Sequence, residues 1–98
     1  MTTTDKTLLA PTVHLNGTGA DDLAAGYRTA YQALDEAINV VHKATAPHAR
    51  DYYVQRDPNA ASTAQEQHQA RIAALLAVRD ELLALWTAVE DQQKNRTR

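Results

Sequence analysis

Apolar residues recur at alternating spacings of four and three through the first half of the chain. They are Leu23, Tyr27, Ala30, Leu34, Ala37, Val41 and Ala44. This alternation keeps the residues on one face of an α-helix and is typical of coiled-coil-like packing. A second apolar line lies beside the first and comprises Ala24, Tyr31 and Ile38, with Ala33 and Val40 extending it. The pattern predicts a helix with more apolar surface than one neighbouring helix covers.

Local signals set the ends of this first helix. Thr18 offers a hydroxyl for the N-cap position, and Asp21 and Asp22 follow it with charges that suit the positive end of a helix. Pro47 cannot continue the hydrogen-bond ladder, and it disfavours helical backbone at the residue before it. The sequence therefore predicts a first helix over about residues 18–45 and a loop over residues 46–57.

A second, longer helix follows the loop. Asp57 and Pro58 are a good N-cap and first helical residue, and neither proline nor glycine occurs after them. The predicted helix covers about residues 58–92. Its apolar residues occupy more than half of the circumference; they are Ile72, Leu75, Leu76, Val78, Leu82, Leu83, Leu85, Trp86 and Val89. A helix with so broad an apolar surface needs two packing partners.

These elements divide the chain into three parts. Residues 1–17 are predicted to form a flexible N-terminal arm, residues 18–93 a helical hairpin domain, and residues 94–98 a frayed tail. The predicted fold is all-α: a long antiparallel helical hairpin with an irregular arm. Because the apolar surface exceeds what one chain covers, we expect hairpins to assemble into a helical-bundle homo-oligomer.

Size and charge narrow the classes of partner. The chain has 98 residues, no cysteine and a formal net charge of −2. The lack of cysteine excludes disulfides and thiolate metal sites, and the lack of a basic field disfavours duplex nucleic acid. No apolar run has the length of a membrane-spanning helix or a signal-peptide core. We therefore expect a cytoplasmic protein with no membrane partner.

The predicted loop carries the most unusual group of side chains. Arg50, Arg56, His48, Tyr52 and Tyr53 fall within nine residues of one another. Guanidinium groups bind phosphate through paired hydrogen bonds and tyrosine rings stack on bases, so the loop is a candidate nucleotide-binding site. The structural alternative is that the tyrosines seal the end of the hairpin and Arg50 pairs with a nearby aspartate.

The arm is a second candidate binding site. His14, Asn16, Gly17 and Thr18 precede the first helix, whose free amide groups attract anions. The alternative is ordinary N-capping, with Leu15 packing as a hydrophobic staple. Arm and loop lie at opposite ends of helix 1, about 35 Å apart or more. An antiparallel dimer would bring the arm of one copy near the loop of the other.

No catalytic or metal-binding constellation emerges from the remaining residues. The four histidines, at positions 14, 42, 48 and 68, lack the spacing of a zinc-binding helix. His68 is expected to be a hydrogen-bonded histidine between helices, and Arg71 and Arg79 are expected to pack their stems and extend their charges to water. We expect no enzyme activity, no metal and no cofactor.

Two short segments carry a resemblance. Residues 14–18 read HLNGT and residues 49–53 read ARDYY, and this pairing resembles short uncharacterised proteins of tailed phages and prophages. The hairpin architecture is also similar to phage anti-defence sponges, which oligomerise and sequester nucleotide signals of bacterial immunity. The resemblance implies a viral origin, and we therefore expect a protein that works in the cytoplasm of a bacterial host cell.

The expectation from the sequence is therefore an oligomeric sponge for a cyclic nucleotide or an ADP-ribose-type molecule. In it Arg50 and Arg56 contact phosphate, and Tyr52 or Tyr53 stacks on a base. The alternative is a protein–protein interaction, inhibitor or assembly module that acts through its helical faces.

Overall fold

The computed structural model describes residues 8–96. They form helix α1 (Ala20–Ala44), a single 3₁₀ turn (Ala49–Asp51) and helix α2 (Ala60–Arg96), and no strand occurs among them. The two long helices pack against each other. The all-helical fold predicted from the sequence is confirmed. The assembly of hairpins into a bundle stays a prediction.

The helices run antiparallel, as three contacts between them show. From one end to the other, Asp21 meets Gln93, Asp35 meets Arg79, and the ring of His42 lies beside that of His68. As the residue number on α1 rises from 21 to 42, the number of its partner on α2 falls from 93 to 68. This hairpin is long and thin, with principal extents of 64 × 30 × 20 Å.

The end of α1 follows from local chemistry. The Thr45 amide donates to the Val41 carbonyl oxygen at 3.2 Å, and the Thr45 hydroxyl donates to the same oxygen at 2.6 Å. Pro47 follows two residues later, so the helix has no continuation. His42 and Lys43 lie in this last turn, where positive charge is favourable.

Asp57 stabilises the turn that leads into α2. Asp57 Oδ1 accepts the Asn59 amide at 2.8 Å, and the Asp57 carbonyl oxygen accepts the Ala60 amide at 3.1 Å. These bonds occupy amide groups that a helix start otherwise leaves without acceptors. The helix itself begins at Ala60 and reaches Arg96, so it starts and ends somewhat later than the expected span of about 58–92.

The face of α1 that packs against α2 differs from the predicted seam. Its buried residue is Ile38, which is 7% exposed and belongs to the second apolar line. In the predicted seam, Ala30, Ala37 and Ala44 are exposed. The larger side chains of the two lines, rather than either line alone, face α2. Alanine gains little from burial, so the larger residues determine the orientation of the helix.

The hairpin has a small core. Among the side chains that the structure describes, four are buried, namely Ile38, Ile72, Val89 and His68. Several large apolar side chains stay exposed on the helices, including Val40, Val78 and Leu83. Within the described residues, neither helix is apolar enough over sufficient length to cross a membrane.

Candidate functional site

The arm is fixed to the far end of α2 by one side chain. Gln92 Oε1 accepts the Val13 amide at 2.8 Å, and Gln92 Nε2 donates to the Pro11 carbonyl oxygen at 2.8 Å. The side-chain amide thus pairs with the arm backbone as a neighbouring strand would. Sequence reasoning missed Gln92, because it lies within a polar run and no local pattern distinguishes it from the residues beside it.

The turn that follows holds His14 against Gly17. The Gly17 amide donates to the His14 carbonyl oxygen at 3.2 Å. A β-carbon on Gly17 would lie 2.7 Å from His14 Nε2, closer than side chains approach one another. Glycine at this position therefore lets the imidazole lie across the turn. Asn16 and Thr18, the other predicted site residues of the arm, are exposed beside it.

The start of α1 corrects the expected cap. The N-cap is Gly19 rather than Thr18, and no side chain caps it. The first helical bond runs from the Leu23 amide to the Gly19 carbonyl oxygen at 3.0 Å. Leu15 is 92% exposed, so the expected hydrophobic staple is absent too. The sequence predicts Thr18 as the N-cap because its hydroxyl is a good acceptor. In the structure Gly19 has the extended backbone of an N-cap residue, so the cap lies one residue later.

A shallow cavity opens between the arm and α1. The residues around it are Val13, His14, Leu15, Gly17, Gly19, Ala20 and Gln93. Gln93 Nε2 donates to Asp21 Oδ1 at 3.0 Å. The amide groups of the first helical turn favour an anion here, but Asp21 and Asp22 in the same turn oppose one.

The loop between the helices is partly ordered by backbone hydrogen bonds. The amides of Tyr52 and Tyr53 both donate to the Ala49 carbonyl oxygen, at 3.0 and 3.1 Å. The Asp51 amide donates to the His48 carbonyl oxygen at 2.9 Å. Tyr52 is half-buried, whereas Tyr53 is 78% exposed. Only Tyr52 therefore takes any part in closing the end of the hairpin.

The charged groups of the loop point to water. His48, Arg50 and Arg56 are exposed. In the described part of the chain, the recorded ion pair joins Arg79 and Asp35, so the expected pairing of Arg50 with an aspartate is not observed. Both loop guanidinium groups are available to an anion.

The structure does not bring the arm and loop together within one chain. They are joined by α1, whose 25 residues extend over about 37 Å. The eight predicted site residues therefore divide into two separate groups. His14, Asn16 and Thr18 lie at one end of the hairpin, and the loop residues lie at the other.

A polar cluster in the middle of the hairpin was missed from the sequence. Arg79 Nη1 lies 2.5 Å from Asp35 Oδ1, and the Arg79 guanidinium carbon lies 5.8 Å from the centre of the Tyr31 ring. The Tyr31 ring meets Trp86 edge-on, with centroids 6.1 Å apart. The hydrogen bond that Arg79 donates to Asp35 raises the pKa of Arg79 above its usual value. Arg79 therefore does not extend its charge to water as expected, but pairs across the helices.

His68 also differs from its expected role. It is 1% exposed, and its Nδ1 atom is buried with no hydrogen-bond partner. The ring of His42 lies beside it, with the two ring centroids 6.0 Å apart. The expectation of a fully hydrogen-bonded histidine is thus wrong. In the described part of the chain, no group of three or more histidine and acidic residues is placed to hold a metal ion.

Comparison with protein-family models gives a match that covers most of the chain. The family model described as asparagine synthase matches residues 9–98, which include the arm, both helices and the loop. Comparisons with curated proteins and with solved structures give no match.

This match overturns three expectations. The resemblance to short phage proteins is wrong, because the HLNGT and ARDYY segments are too short to outweigh a match across residues 9–98. The sponge and the expectation of a non-enzymatic protein are wrong as well, because asparagine synthase names a family of enzymes. The match leaves out only the first eight residues, and this chain belongs to the asparagine synthase family.

Proposed function

We propose that the chain is a helical element of an ATP-utilising enzyme of the amidotransferase or ligase type. The observation that carries this proposal is the asparagine synthase match over residues 9–98. Forming an amide from a carboxylate requires that the carboxylate first be activated, and ATP is the reagent for that activation in this class of enzyme.

The open shape of the hairpin supports the role of an element rather than a complete site. An activated carboxylate is hydrolysed unless water is excluded from it. The described side chains include four buried ones, and these lie between the helices. The arm cavity and the loop both open to water. Further protein surface is therefore needed to enclose the reactants.

The loop is the best candidate for contact with the triphosphate of ATP. Arg50 and Arg56 are exposed and have no recorded carboxylate partner among the described residues. Tyr53 offers an exposed ring on which an adenine could stack. The arm cavity is the weaker candidate, because Asp21 and Asp22 place negative charge at the same helix end.

One measurement on the full chain tests the proposal. Titration with ATP and Mg²⁺, followed through backbone amide resonances, should shift the signals of residues 48–56. The absence of any shift would overturn the proposal. Shifts confined to residues 13–22 would retain the function but move the ATP site to the arm.

Matched variants separate a specific site from general charge attraction. Replacing Arg50 and Arg56 together by alanine should weaken ATP binding at least tenfold, or about 1.4 kcal/mol. The control is Arg71→Ala, because Arg71 is also exposed but lies on α2. Equal weakening by this control would show that the loop has no special role.

A further inference from the structure

The side of α1 that faces away from α2 is apolar. Val40 is 57% exposed, although it follows the buried Ile38 by only two residues. Two residues correspond to about 200° around a helix, so Val40 lies on the opposite side from Ile38. Ala33, Ala37 and Ala44 are exposed on the same side. Shallow grooves beside Val40 are lined by these residues together with Glu36, Asn39, Val41 and Lys43.

We propose that this surface, called here the Val40 face, binds the Val40 face of a second copy of the chain in an antiparallel, two-fold symmetric pair. The inference concerns assembly and does not depend on the catalytic proposal. It rests on the self-complementary arrangement of charges and small residues around Val40, and on the amount of surface that one hairpin leaves uncovered.

The charges around Val40 suit a two-fold axis. Glu36 lies four residues before Val40 and Lys43 three residues after it. Around the helix, these two residues fall about 40° and 60° from Val40 in the same direction. In an antiparallel pair centred on Val40, Glu36 of each copy therefore lies beside Lys43 of the other. An interface between identical surfaces requires this kind of self-complementarity.

The small residues on the other side of Val40 have matching positions. Ala37 lies three residues before Val40 and Ala44 four residues after it, about 60° and 40° away in the direction opposite to the charges. Ala37 of one copy then meets Ala44 of the other. The alanines leave room for the two Val40 side chains to meet on the two-fold axis with the helix axes about 10 Å apart, which is within the usual range.

The hairpin as a whole leaves more surface uncovered than a compact chain of the same mass does. The chain exposes 7408 Å², whereas a compact monomer of this mass exposes about 5,500 Å². The excess, roughly 1,900 Å², is spread over all sides of the hairpin, and a standard interface takes about 800 Å² from each partner. The loop at the same end of the hairpin also exposes Val54, by 73%, which can extend the contact.

This pair does not join the arm and loop into one site. The two-fold axis lies near the loop end of α1, so each arm lies at an outer end of the pair. The distance between the arm of one copy and the loop of the other is about 20 Å along the helix axis. This dimer therefore does not bring the arm of one copy beside the loop of the other, as the sequence led us to expect of an antiparallel dimer.

Sedimentation of the full chain from micromolar to millimolar concentration tests the assembly. A dimer is expected for the natural sequence. Val40→Glu places two carboxylates on the axis and should raise the dissociation constant at least tenfold, while circular dichroism shows the helices intact. The control is Val78→Glu, because Val78 is a similarly exposed valine (48%) on α2.

A charge exchange tests the register. Glu36→Lys places two lysines together and should weaken the dimer, and Glu36→Lys combined with Lys43→Glu should restore it. The residues three and four positions from Glu36 are Gln32, Ala33, Asn39 and Val40, so the exchange creates no charge pair within one helix. Failure of the double variant to recover would overturn the antiparallel arrangement.

Cross-linking gives an independent measure, because the natural chain has no cysteine. Two Val40→Cys side chains on the axis fall within the Cα separation of about 4.4–6.8 Å that disulfides require. Mild oxidation should convert most of this variant to a covalent dimer, and Val78→Cys should stay monomeric under the same conditions. A monomer at every concentration, or a dimer insensitive to Val40→Glu, would overturn the proposal.

Discussion

Arg79 on α2 and Asp35 on α1 form an ion pair across the hairpin, with Nη1 and Oδ1 2.5 Å apart. The pair lies in the middle of the helix interface, and the guanidinium also contacts the face of Tyr31. Arg79 Nε is buried without a hydrogen-bond partner. Because no other recorded carboxylate pairs with this guanidinium, Asp35 is the group that compensates its charge.

Replacing Asp35 by alanine should lower the thermal unfolding temperature. The substitution leaves the Arg79 guanidinium between the helices without its acceptor. Asp35→Asn should cost less, because an amide oxygen still accepts a hydrogen bond. A double-mutant cycle with Arg79→Met, measured by urea unfolding, should show coupling between the two positions. Additive effects would contradict the structural pair.

Replacing Gln92 by alanine should release the arm. Both hydrogen bonds between Gln92 and the arm backbone are lost, each with a net contribution of about 0.5–1.5 kcal/mol. Hydrogen exchange at the Val13 amide should become faster, while amides within α1 keep their protection. Gln93→Ala is the matched control, since Gln93 contacts Asp21 rather than the arm backbone. Unchanged exchange at Val13 would show that Gln92 does not hold the arm.

Replacing His68 by leucine should stabilise the hairpin or leave its stability unchanged. The substitution removes a buried nitrogen that has no partner, and an unsatisfied buried polar group costs about 1–3 kcal/mol. His68→Ala should instead destabilise, because it leaves a cavity. Urea unfolding of the two variants distinguishes these effects. A large loss of stability in the leucine variant would mean that the imidazole makes a favourable interaction in the folded protein.

Replacing Gly26 by alanine should stabilise α1 by about 0.5–1 kcal/mol, because glycine loses more backbone freedom in a helix than alanine does. Gly26 lies inside α1, and no heavy atom lies within 4 Å of the position that a β-carbon would take. Thermal unfolding provides the measurement.

Gly17→Ala is the contrasting variant, since its β-carbon meets the His14 ring at 2.7 Å. That ring is the end of a flexible side chain, so the expected result is a displaced His14 resonance rather than a large change in stability. A stabilisation equal to that of Gly26→Ala, with His14 unmoved, would contradict the turn seen in the structure.

Function was the hardest property to infer from local sequence. Two arginines and two tyrosines in one loop are compatible with many ligands. The expectation of a phage sponge assigned them to a nucleotide signal, which these residues alone do not specify. The asparagine synthase match depends on residues 9–98 together, which short motifs cannot reproduce.

The sequence by itself determined the helical character of the chain, because helix signals act within a few residues. The alternating apolar spacing predicted α1, Pro47 predicted its end, and Asp57 predicted the turn that leads into α2; each depends on neighbours along the chain. The predicted N-cap of α1 was wrong by a single residue, because Thr18 and Gly19 are both acceptable caps.

Only the tertiary structure decided which residues meet across the hairpin. The pairing of Asp35 with Arg79 joins residues 44 positions apart, and Gln92 reaches Pro11 over 81 positions. Such contacts depend on the rotation and register of the two helices. The packing of large side chains such as Ile38 and Tyr31 selects that rotation and register. Both helices carry apolar residues on more than one face, so periodicity alone does not choose among these orientations.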